Sequence, residues 1–414
     1  MKILHILPES PVQKYGGLGV TVEELAKVQA AEGHEVICLG HDFVKNEFEV
    51  LGHLGYTIYH VGNYLDGTER TFQEKRKEVY LCTYLEHLSK ISFDVVHLHD
   101  PYLYPLVKVI RLLHPGVRVI GTWHLSFQLE HAKDQPEPYH IMTWEEAQAC
   151  YHNDDKFRRE SQIELCFMNG VDVLTTCSKA YAEKLRDWFG FNRPIYVVPN
   201  GVNYLEIANT EPEWDDWDWA KDKFRVLFCG RPVPGKGFDL VLDAAEALPD
   251  IAFYIVSKVH PSFNSTEGYM ENYRKRIAEL PNVKLLDNLP IRGHFGLMKT
   301  CDAVLVPSIN ESPFEIAGLE AMAAGVVLIT TAVCGMREYC TEENSFIIEP
   351  NAQGLIDEVL KLCKWNIDKR CKKLSTGEYT AKQFQWKQTK DLFDSLYCER
   401  NLENNAYTLS TFNT

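Results

Sequence analysis

Short apolar runs alternate with segments of helical periodicity along most of this chain. In the first half, Leu18, Val22 and Leu25 share one face of a predicted helix, and Gly33 follows that helix as a C-cap would. Six apolar runs predict buried strands at residues 3–7, 36–39, 95–98, 117–121, 171–175 and 195–198. The alternation of buried strands with helices predicts a doubly wound α/β sheet.

A second alternating series follows, with predicted strands at 226–229, 252–256, 283–286, 303–306 and 327–330. Residues 203–222 show no clear period and predict a connector, whereas residues 379–397 have a helical pattern. We therefore predict an N-terminal domain at 1–202, a connector at 203–222, a C-terminal domain at 223–378, a helix at 379–398 and a polar tail at 399–414. Two doubly wound domains joined by a connector imply a cleft between them. Ligands of such sheets bind at the carboxyl ends of the strands.

The composition argues against several classes of protein. The net charge of −15 disfavours a protein whose main task is to bind nucleic-acid phosphates. The 12 cysteines include no C-x-x-C pair, so neither a zinc site nor a disulfide framework is indicated, and a reducing, cytoplasmic location is expected. No apolar run approaches the roughly 18 to 20 residues that a membrane-spanning helix needs.

Two glutamates, Glu311 and Glu320, bracket the start of a predicted helix that follows the strand at 303–306. A helix N-terminus offers free N–H groups and a partial positive charge, which suit a phosphate. Carboxylates would repel a phosphate but accept hydrogen bonds from the hydroxyls of a sugar. The segment fits a nucleotide-sugar site, and it also fits an ordinary strand-to-helix connection of an α/β protein.

Two other turns carry candidate phosphate ligands. Arg231 and Lys236 flank a turn with Pro and Gly after the strand at 226–229, and such a pair suits a diphosphate. Two solvated loop cations are the alternative. The glycine-rich segment KYGGLG at 14–19 would let the backbone approach an anion, although it lacks the dinucleotide-binding spacing and also fits a tight turn.

Histidines stand at or near the ends of two predicted strands. His124 follows the strand at 117–121 and is placed to face a cleft. His97 and His99 share one face of a strand, which would suit a metal ion, but no third ligand is evident. The D-x-D sequence at 216–218 lies in the acidic, Trp-rich connector, and we interpret it as structural.

Taken in order, these segments resemble the retaining nucleotide-sugar glycosyltransferases of the GT-B fold, namely glycosyltransferase family 4 and its glycogen and starch synthase relatives. The resemblance spans roughly residues 1–398. The motifs that carry it are KYGGLG at 14–19, GHEV at 33–36, DVVHLHD at 94–100, GTWH at 121–124, VPNGV at 198–202, GRPVPGKG at 230–237, LEAMAAG at 319–325, GMRE at 335–338 and FQW at 384–386.

The resemblance implies two Rossmann-like domains that face a central cleft, with the last helix returning to the N-terminal domain. It implies a metal-independent transfer of a hexose, with retention, from a nucleoside diphosphate sugar to a hydroxyl of a small-molecule or glycan acceptor. Glucose and UDP are the favoured sugar and nucleotide, no cofactor is expected, nucleic acid is not an expected partner, and the oligomeric state stays open.

The resemblance also implies roles for individual residues. Arg231 and Lys236 would bind the diphosphate, and His124 would lie beside the donor sugar. Glu311 would accept hydrogen bonds from the sugar hydroxyls, and Glu320 would hold the ribose. The implied donor-binding set is Gly17, Leu18, Gly19, Arg231, Lys236, Phe314, Glu315, Ile316 and Glu320, and the implied acceptor side is Lys14, His99 and Asp100.

The sequence departs from the family pattern near the glutamate pair. Glu311 and Glu320 are nine residues apart where the family has eight, so Glu311 or Ser312 takes the first position, and we favour Glu311. Glu315 stands where the family has Gly. Two alternatives stay open: a nucleotide-sugar epimerase or glycoside phosphorylase on the same fold, and an inactive protein that binds a sugar nucleotide.

Overall fold

The computed structural model describes residues 1–13, 16–42, 47–62, 72–124, 155–213, 217–257, 264–287, 289–309, 312–365 and 367–398. Contacts among these residues divide the chain into two compact units. Within the described ranges, the first unit contains residues 1–124, 155–199 and 386–398, and the second unit contains residues 200–385.

The first unit is built on an eight-stranded sheet with the order β3-β4-β2-β1-β5-β6-β7-β8. All neighbouring strands are parallel except β3 and β4, which pair antiparallel. The strands are β1 (Lys2–Ile6), β2 (Glu35–His41), β3 (Glu49–His53), β4 (Tyr56–Val61), β5 (Val95–Leu98), β6 (Arg118–Trp123), β7 (Val173–Thr176) and β8 (Ile195–Val197).

The second unit is built on a six-stranded parallel sheet with the order β11-β10-β9-β12-β13-β14. Its strands are β9 (Arg225–Cys229), β10 (Ala252–Ser257), β11 (Val283–Asp287), β12 (Ala303–Val306), β13 (Val327–Thr330) and β14 (Phe346–Ile347). A sheet that is parallel except for its edge hairpin, together with a second sheet that is wholly parallel, confirms the predicted doubly wound α/β class.

Helices connect the strands in both units. Those of the first unit are α1 (Gly17–Ala31), α2 (Phe72–Thr83), α3 (Tyr104–Leu113), α4 (Asp155–Gly170) and α5 (Lys179–Phe189). Those of the second unit are α6 (Tyr204–Asn209), α7 (Trp217–Ala220), α8 (Phe238–Ala247), α9 (Asn264–Ala278), α10 (Ile291–Thr300), α11 (Ile316–Ala323), α12 (Ala352–Cys363) and α13 (Ile367–Gln383). The last described helix, α14 (Trp386–Cys398), belongs to the first unit.

Helix α14 is part of the core of the first unit. Phe393 and Leu396 of α14 pack in one buried cluster with Ile3, Val95 and other residues of the sheet. The backbone carbonyl of Leu396 accepts a hydrogen bond from Arg118 at 2.8 Å. The predicted return of the last helix to the N-terminal domain is therefore confirmed.

The structure divides the helical pattern predicted at 379–397 between two helices, and the second of them begins at Trp386, in the FQW segment that resembles the start of the family's last helix. The break falls at Phe384 and Gln385, between α13 and α14. The Phe384 carbonyl accepts a hydrogen bond from the backbone N–H of Val202 at 2.7 Å, and Gln385 forms a β-bridge with Val202. This backbone pairing with a distant segment interrupts the helical ladder at the point where the chain passes from one unit to the other.

The sequence pattern also missed the hairpin of β3 and β4. Every second residue of β3 is exposed, so this strand at the sheet edge has no apolar run to reveal it. Its turn is formed by Leu54 and Gly55, both with positive φ, at 46° and 90°. Two positive φ values fit a type I′ turn, whose twist matches that of an antiparallel pair.

The segment predicted as a connector, 203–222, contains α6 and α7 and belongs to the second unit. The Lys299 ammonium of α10 donates hydrogen bonds to the backbone carbonyls of Ala208 and Thr210, at 2.6 and 2.7 Å. The ring of Trp219 contacts Tyr254 edge to face, with centroids 5.2 Å apart. In the part of the chain that the structure describes, no helix has the length and apolar character needed to cross a membrane.

Candidate functional site

Each sheet has a switch point, where neighbouring strands lead into connections on opposite sides. In the first unit the switch lies between β1 and β5, and in the second it lies between β9 and β12. Loops diverge at a switch point and leave a crevice at the carboxyl ends of the strands, where ligands of such sheets bind. The predicted site residues of the first unit follow β1, β5 or the neighbouring strand β6. Those of the second unit follow β9 and β12.

In the second unit, close backbone packing joins the loops after β9 and β12. Gly237, with a φ of 70°, lies so close to Pro307 that a Cβ there would be 2.0 Å from the Pro307 carbonyl oxygen. The N–H of Ile309 donates to the carbonyl of Gly235 at 3.0 Å. Glycine at 237 thus lets the loop that carries Lys236 approach the loop that leads to α11.

This packing brings Lys236 and Glu315 together. The Lys236 ammonium forms an ion pair with the Glu315 carboxylate, which also accepts a hydrogen bond from the Ser308 hydroxyl at 3.2 Å. Burial alone would raise the pKa of Glu315, but the charge of Lys236 and the hydrogen bonds from Lys236, Ser312 and Ser308 outweigh it, so the pKa lies below its usual value. Glu315 is therefore ionised at neutral pH.

Glu315 immediately precedes α11 and is held there by its backbone. The Tyr339 hydroxyl donates to the Glu315 carbonyl, and the Tyr339 ring contacts Phe314, with centroids 5.3 Å apart. Gly318 makes room for this contact, because a Cβ at that position would be 2.5 Å from the Tyr339 hydroxyl. The fixed backbone places the Glu315 carboxylate at the N-terminus of α11, and the ion pair brings the Lys236 ammonium there.

The structure places the other predicted donor-site residues of this unit as follows. Glu320 lies in α11, with an oxygen 3.9 Å from Nε2 of His294 in α10. Burial lowers the pKa of His294 to about 4, so the neutral imidazole faces the carboxylate. Arg231 is half-buried in the same loop as Lys236, and Ile316 is the first residue of α11. Glu311 lies outside the described residues, so its choice over Ser312 stays a prediction.

In the first unit, a carboxylate already occupies the N-terminus of α1. The N–H of Gly19 donates to a carboxylate oxygen of the buried Glu9 at 2.7 Å. Gly17 and Leu18 begin this helix, whereas Lys14 lies outside the described residues. The glycine-rich motif does not reveal Glu9, because Glu9 lies ten positions before the N–H group to which it binds.

Asp100, predicted on the acceptor side, is held by two contacts within the first unit. One carboxylate oxygen accepts from the N–H of Tyr102 at 2.7 Å and caps a short turn. The other oxygen lies 2.8 Å from the Arg76 guanidinium, and both side chains are buried. These two contacts within the protein account for the orientation of the Asp100 side chain. Its role on the acceptor side stays a prediction.

His124 and His99 meet directly, and a third histidine that the sequence analysis missed joins them. Nε2 of His124 is 3.0 Å from Nδ1 of His99, and Nε2 of His99 is 3.0 Å from Nδ1 of His5. Residue 5 pairs with residue 97 in the parallel register of β1 and β5. Burial lowers the pKa of His124 to about 3 and that of His5 to about 4, so both imidazoles are neutral at neutral pH.

The expectation that no third metal ligand accompanies His97 and His99 is wrong, because His5 supplies one. One nitrogen from each of the three side chains falls within 4.8 Å of the others. Burial lowers the pKa of His97 and His99 well below the usual value, which leaves neutral imidazoles. Their nitrogens, however, already have hydrogen-bond partners, including Tyr397 and Thr122 on His97. The cluster therefore needs no ion to satisfy its polar atoms.

Two family profiles match the chain in succession. The profile described as Glycosyltransferase Family 4 matches residues 15–204, and that described as Glycosyl transferases group 1 matches residues 223–364. The chain belongs to glycosyltransferase family 4. An uncharacterized glycosyltransferase of Methanocaldococcus jannaschii is 25% identical over 362 residues, which cover 83% of each chain.

Solved structures support the GT-B fold of this family 4 glycosyltransferase. Sucrose-phosphate synthase from Thermosynechococcus elongatus aligns with a TM-score of 0.80 and 17% identity, over 96% of this chain and 98% of its own. HepE of Anabaena, solved in complex with UDP-glucose, aligns with a TM-score of 0.68 and 17% identity, over 96% of this chain and 99% of its own. At this level of identity the similarity shows the fold alone.

Proposed function

We propose that this glycosyltransferase moves glucose from UDP-glucose to a hydroxyl acceptor, with retention and without a metal ion. The observation that carries the proposal is the group formed by Lys236, Glu315 and Ser308 at the N-terminus of α11, beside the switch point of the second sheet. It combines a cation with helix N–H donors, which suit a diphosphate, and with carboxylate and hydroxyl groups, which suit a sugar. The relative solved with UDP-glucose supports this choice of donor.

In this mechanism Arg231 and Lys236 neutralise the departing diphosphate. Positive groups that are already in place where charge develops stabilise the transition state without further reorganisation. As the bond to the diphosphate breaks, the sugar becomes oxocarbenium-like and the acceptor oxygen attacks the same face. In the first unit, neutral His124 offers a ring nitrogen as an acceptor for a sugar hydroxyl.

The donor is tested by thermal denaturation with a panel of UDP-, ADP- and GDP-sugars. A ligand that binds the folded state raises the melting temperature by mass action, by an amount equivalent to about 2.7 kcal/mol at a concentration of one hundred times Kd. We expect UDP-glucose to give the largest shift. A larger shift with a GDP- or ADP-sugar would contradict the proposed nucleotide.

Retention and metal independence are tested together on the product. With UDP-glucose and an acceptor identified by screening, NMR of the anomeric proton should show an α-glycoside, since the donor is an α-linked sugar. The rate should be unchanged in EDTA. A β-glycoside would refute retention, and a loss of activity in EDTA that Mg²⁺ or Mn²⁺ restores would refute metal independence.

The ion pair of Lys236 and Glu315 also favours a second candidate, a protein that binds a sugar nucleotide without transferring the sugar. A carboxylate that neutralises Lys236 weakens its ability to stabilise a leaving group. Donor binding without transfer or hydrolysis, over a broad acceptor panel, would support this candidate. Release of UDP that depends on an acceptor would exclude it.

A further inference from the structure

A run of hydrogen bonds inside the first unit connects His124 with helix α14. It passes from His124 through His99 and His5 to Gln29, where Nε2 of His5 is 2.8 Å from the Gln29 side-chain carbonyl. The amide nitrogen of Gln29 then donates to the Tyr397 hydroxyl at 3.2 Å. The side chains of His99, His5, Gln29 and Tyr397 are buried, so water does not compete with their hydrogen bonds.

The same run continues from Tyr397 to the backbone of β6. The Tyr397 oxygen is 2.8 Å from Nδ1 of His97, and Nε2 of His97 is 2.6 Å from the Thr122 hydroxyl. Thr122 and Thr175 are joined by a hydrogen bond of 2.7 Å, and the Thr175 hydroxyl donates to the Gly121 carbonyl at 3.3 Å. The run therefore ends on a group that can only accept a hydrogen bond.

That last acceptor sets the direction of every bond in the run. Thr175 has one proton, and because Gly121 receives it, Thr122 must donate to Thr175. His97 then donates to Thr122 through Nε2 and accepts through Nδ1 from Tyr397, since a neutral imidazole has one donor and one acceptor. Tyr397 in turn accepts from the Gln29 amide, which turns the Gln29 carbonyl toward His5.

The direction carries on from Gln29 to His124. His5 donates to the Gln29 carbonyl through Nε2, so its Nδ1 accepts from His99. His99 likewise accepts from His124 through Nδ1, so His124 carries its proton on Nε2. Among the described residues none hydrogen-bonds to Nδ1 of His124, which keeps its lone pair. Tautomers of this kind are assigned from the hydrogen-bond network, as is usual for histidine.

We infer that Thr175, Tyr397 and Gln29 are positioning residues, which fix His124 in the tautomer whose Nδ1 lone pair can accept a hydrogen bond from the donor sugar. The run itself rests on the geometry of the first unit, whereas the contact with the sugar rests on the proposed function. Helix α14 thereby contributes to the orientation of a site residue through Tyr397, across the buried face of the sheet.

The inference predicts that a change at Thr175 reverses the tautomer of His124, several hydrogen bonds away. In Thr175→Val, the Thr122 hydroxyl loses its acceptor and can donate only to Nε2 of His97. Each hydrogen bond from His97 to His124 then reverses its direction. Thr175→Ser keeps the hydroxyl and serves as the matched control. Tyr397→Phe interrupts the run at its centre, so that Gln29 has no fixed orientation and His124 becomes a mixture of tautomers.

The test is long-range ¹H–¹⁵N NMR of the full chain labelled at histidine, with the His124 signals identified by their loss in His124→Gln. We expect the Nε2–H tautomer in the unmodified protein and in Thr175→Ser, a predominant Nδ1–H tautomer in Thr175→Val, and a mixture in Tyr397→Phe. An Nδ1–H tautomer in the unmodified protein would overturn the inference. So would an unchanged tautomer in both Thr175→Val and Tyr397→Phe, two variants that each remove one oxygen atom without opening a large cavity.

Donor kinetics separate this inference from the proposed function. If His124 accepts from the sugar, Thr175→Val should raise KM for UDP-glucose by about threefold to tenfold, the equivalent of one lost hydrogen bond, while Thr175→Ser restores it. A reversed tautomer with unchanged KM and kcat would leave the hydrogen-bond run standing and overturn the role proposed for His124. Normal donor kinetics in Thr175→Val with an unchanged His124 tautomer would overturn the inference and leave the proposed function standing.

Discussion

Lys236 has two possible partners, the Glu315 carboxylate that it contacts in this structure and the diphosphate that we propose as ligand. A carboxylate beside a phosphate repels it, and the desolvated surroundings strengthen that repulsion. The charge at position 315 should therefore tune nucleotide affinity.

Glu315→Gln removes the charge and keeps the shape and the hydrogen bond from Ser308. We expect UDP to bind about tenfold more tightly, which corresponds to about 1.4 kcal/mol, because Lys236 no longer has an ionic partner to give up. Isothermal titration calorimetry measures the Kd. Glu279→Gln, with the same charge change at an exposed position of the same unit, should leave it unchanged. Equal affinities of the Glu315 variant and the unmodified protein would show that the two partners do not compete.

Lys236→Ala and Arg231→Ala test the cations themselves. Each should lower kcat by about a hundredfold to a thousandfold, as removal of one preorganised donor does elsewhere, equivalent to about 3 to 4 kcal/mol. Steady-state kinetics with UDP-glucose measure the loss. Near-normal turnover in both variants would contradict the proposed role of these two residues in leaving-group departure.

At the scale of elements, the site of the second unit depends on how two loops pack. Gly237 combines a positive φ with a contact that admits no Cβ, and Lys236 precedes it directly. The loop after β9 cannot approach the loop after β12 if residue 237 carries a side chain. The geometry of the Lys236 and Glu315 pair is thus set by a residue that has no functional group.

Gly237→Ala should destabilise the protein by well over the roughly 1 to 2 kcal/mol that a left-handed conformation alone costs an L-residue. Gly325→Ala is the matched control, since Gly325 has nearly the same φ, 69° against 70°, with nothing within 4 Å of an added Cβ. Urea denaturation compares the two variants. Equal losses of stability would show that the contact with Pro307 is unimportant.

Helix α14 should stabilise the first unit and leave the second unaffected. Phe393 is 3% exposed and packs in the core of the first unit, so Phe393→Ala should cost about 3 to 5 kcal/mol. Hydrogen exchange read by mass spectrometry should show lost protection in β1 and β5 while β9 and β12 stay protected. Leu355→Ala, in the core of the second unit, should give the opposite pattern. A uniform loss of protection would contradict an independent role of α14.

At the scale of the whole molecule, five buried or nearly buried histidines among the described residues are neutral when folded. Burial lowers the pKa of His5 and His294 to about 4 and that of His124 to about 3, and those of His97 and His99 lie well below the usual value. In the unfolded chain each titrates near 6.5. Below that pH the unfolded state binds protons that the folded state does not, so the free energy of unfolding falls on acidification.

The expected slope is up to about 1.4 kcal/mol per pH unit for each histidine, between pH 6.5 and its folded pKa. Urea denaturation at pH 7, 6 and 5 measures it, and His294→Gln should reduce the slope by one histidine's share. Glu315 affects stability at a lower pH. Because its pKa is lowered in the folded state, it stabilises the protein at neutral pH, and this contribution is lost only as the pH falls below about 4.5, the usual pKa of the group. Constant stability from pH 7 to pH 5 would contradict the neutral, buried state of these side chains.

The sequence alone determined the strands of both sheets that are buried on both faces, because a buried strand must be a continuous apolar run. It also placed His124, Arg231, Lys236 and Glu320 after or beside such strands. It did not reveal the edge hairpin of β3 and β4, since an edge strand is half exposed. It did not reveal the break at Phe384 either, because the bonds that interrupt the helix come from Val202, far away in the chain.

Only the tertiary structure decided which side chains meet. His5 joins His97 and His99 because β1 and β5 pair in a particular register, and register is a property of two strands that neither strand encodes by itself. Glu315 meets Lys236 because Gly237 packs on Pro307, a contact between loops about seventy residues apart. Local patterns fix which elements form and where polar residues stand on them, whereas hydrogen bonds and ion pairs need distances that the fold alone sets.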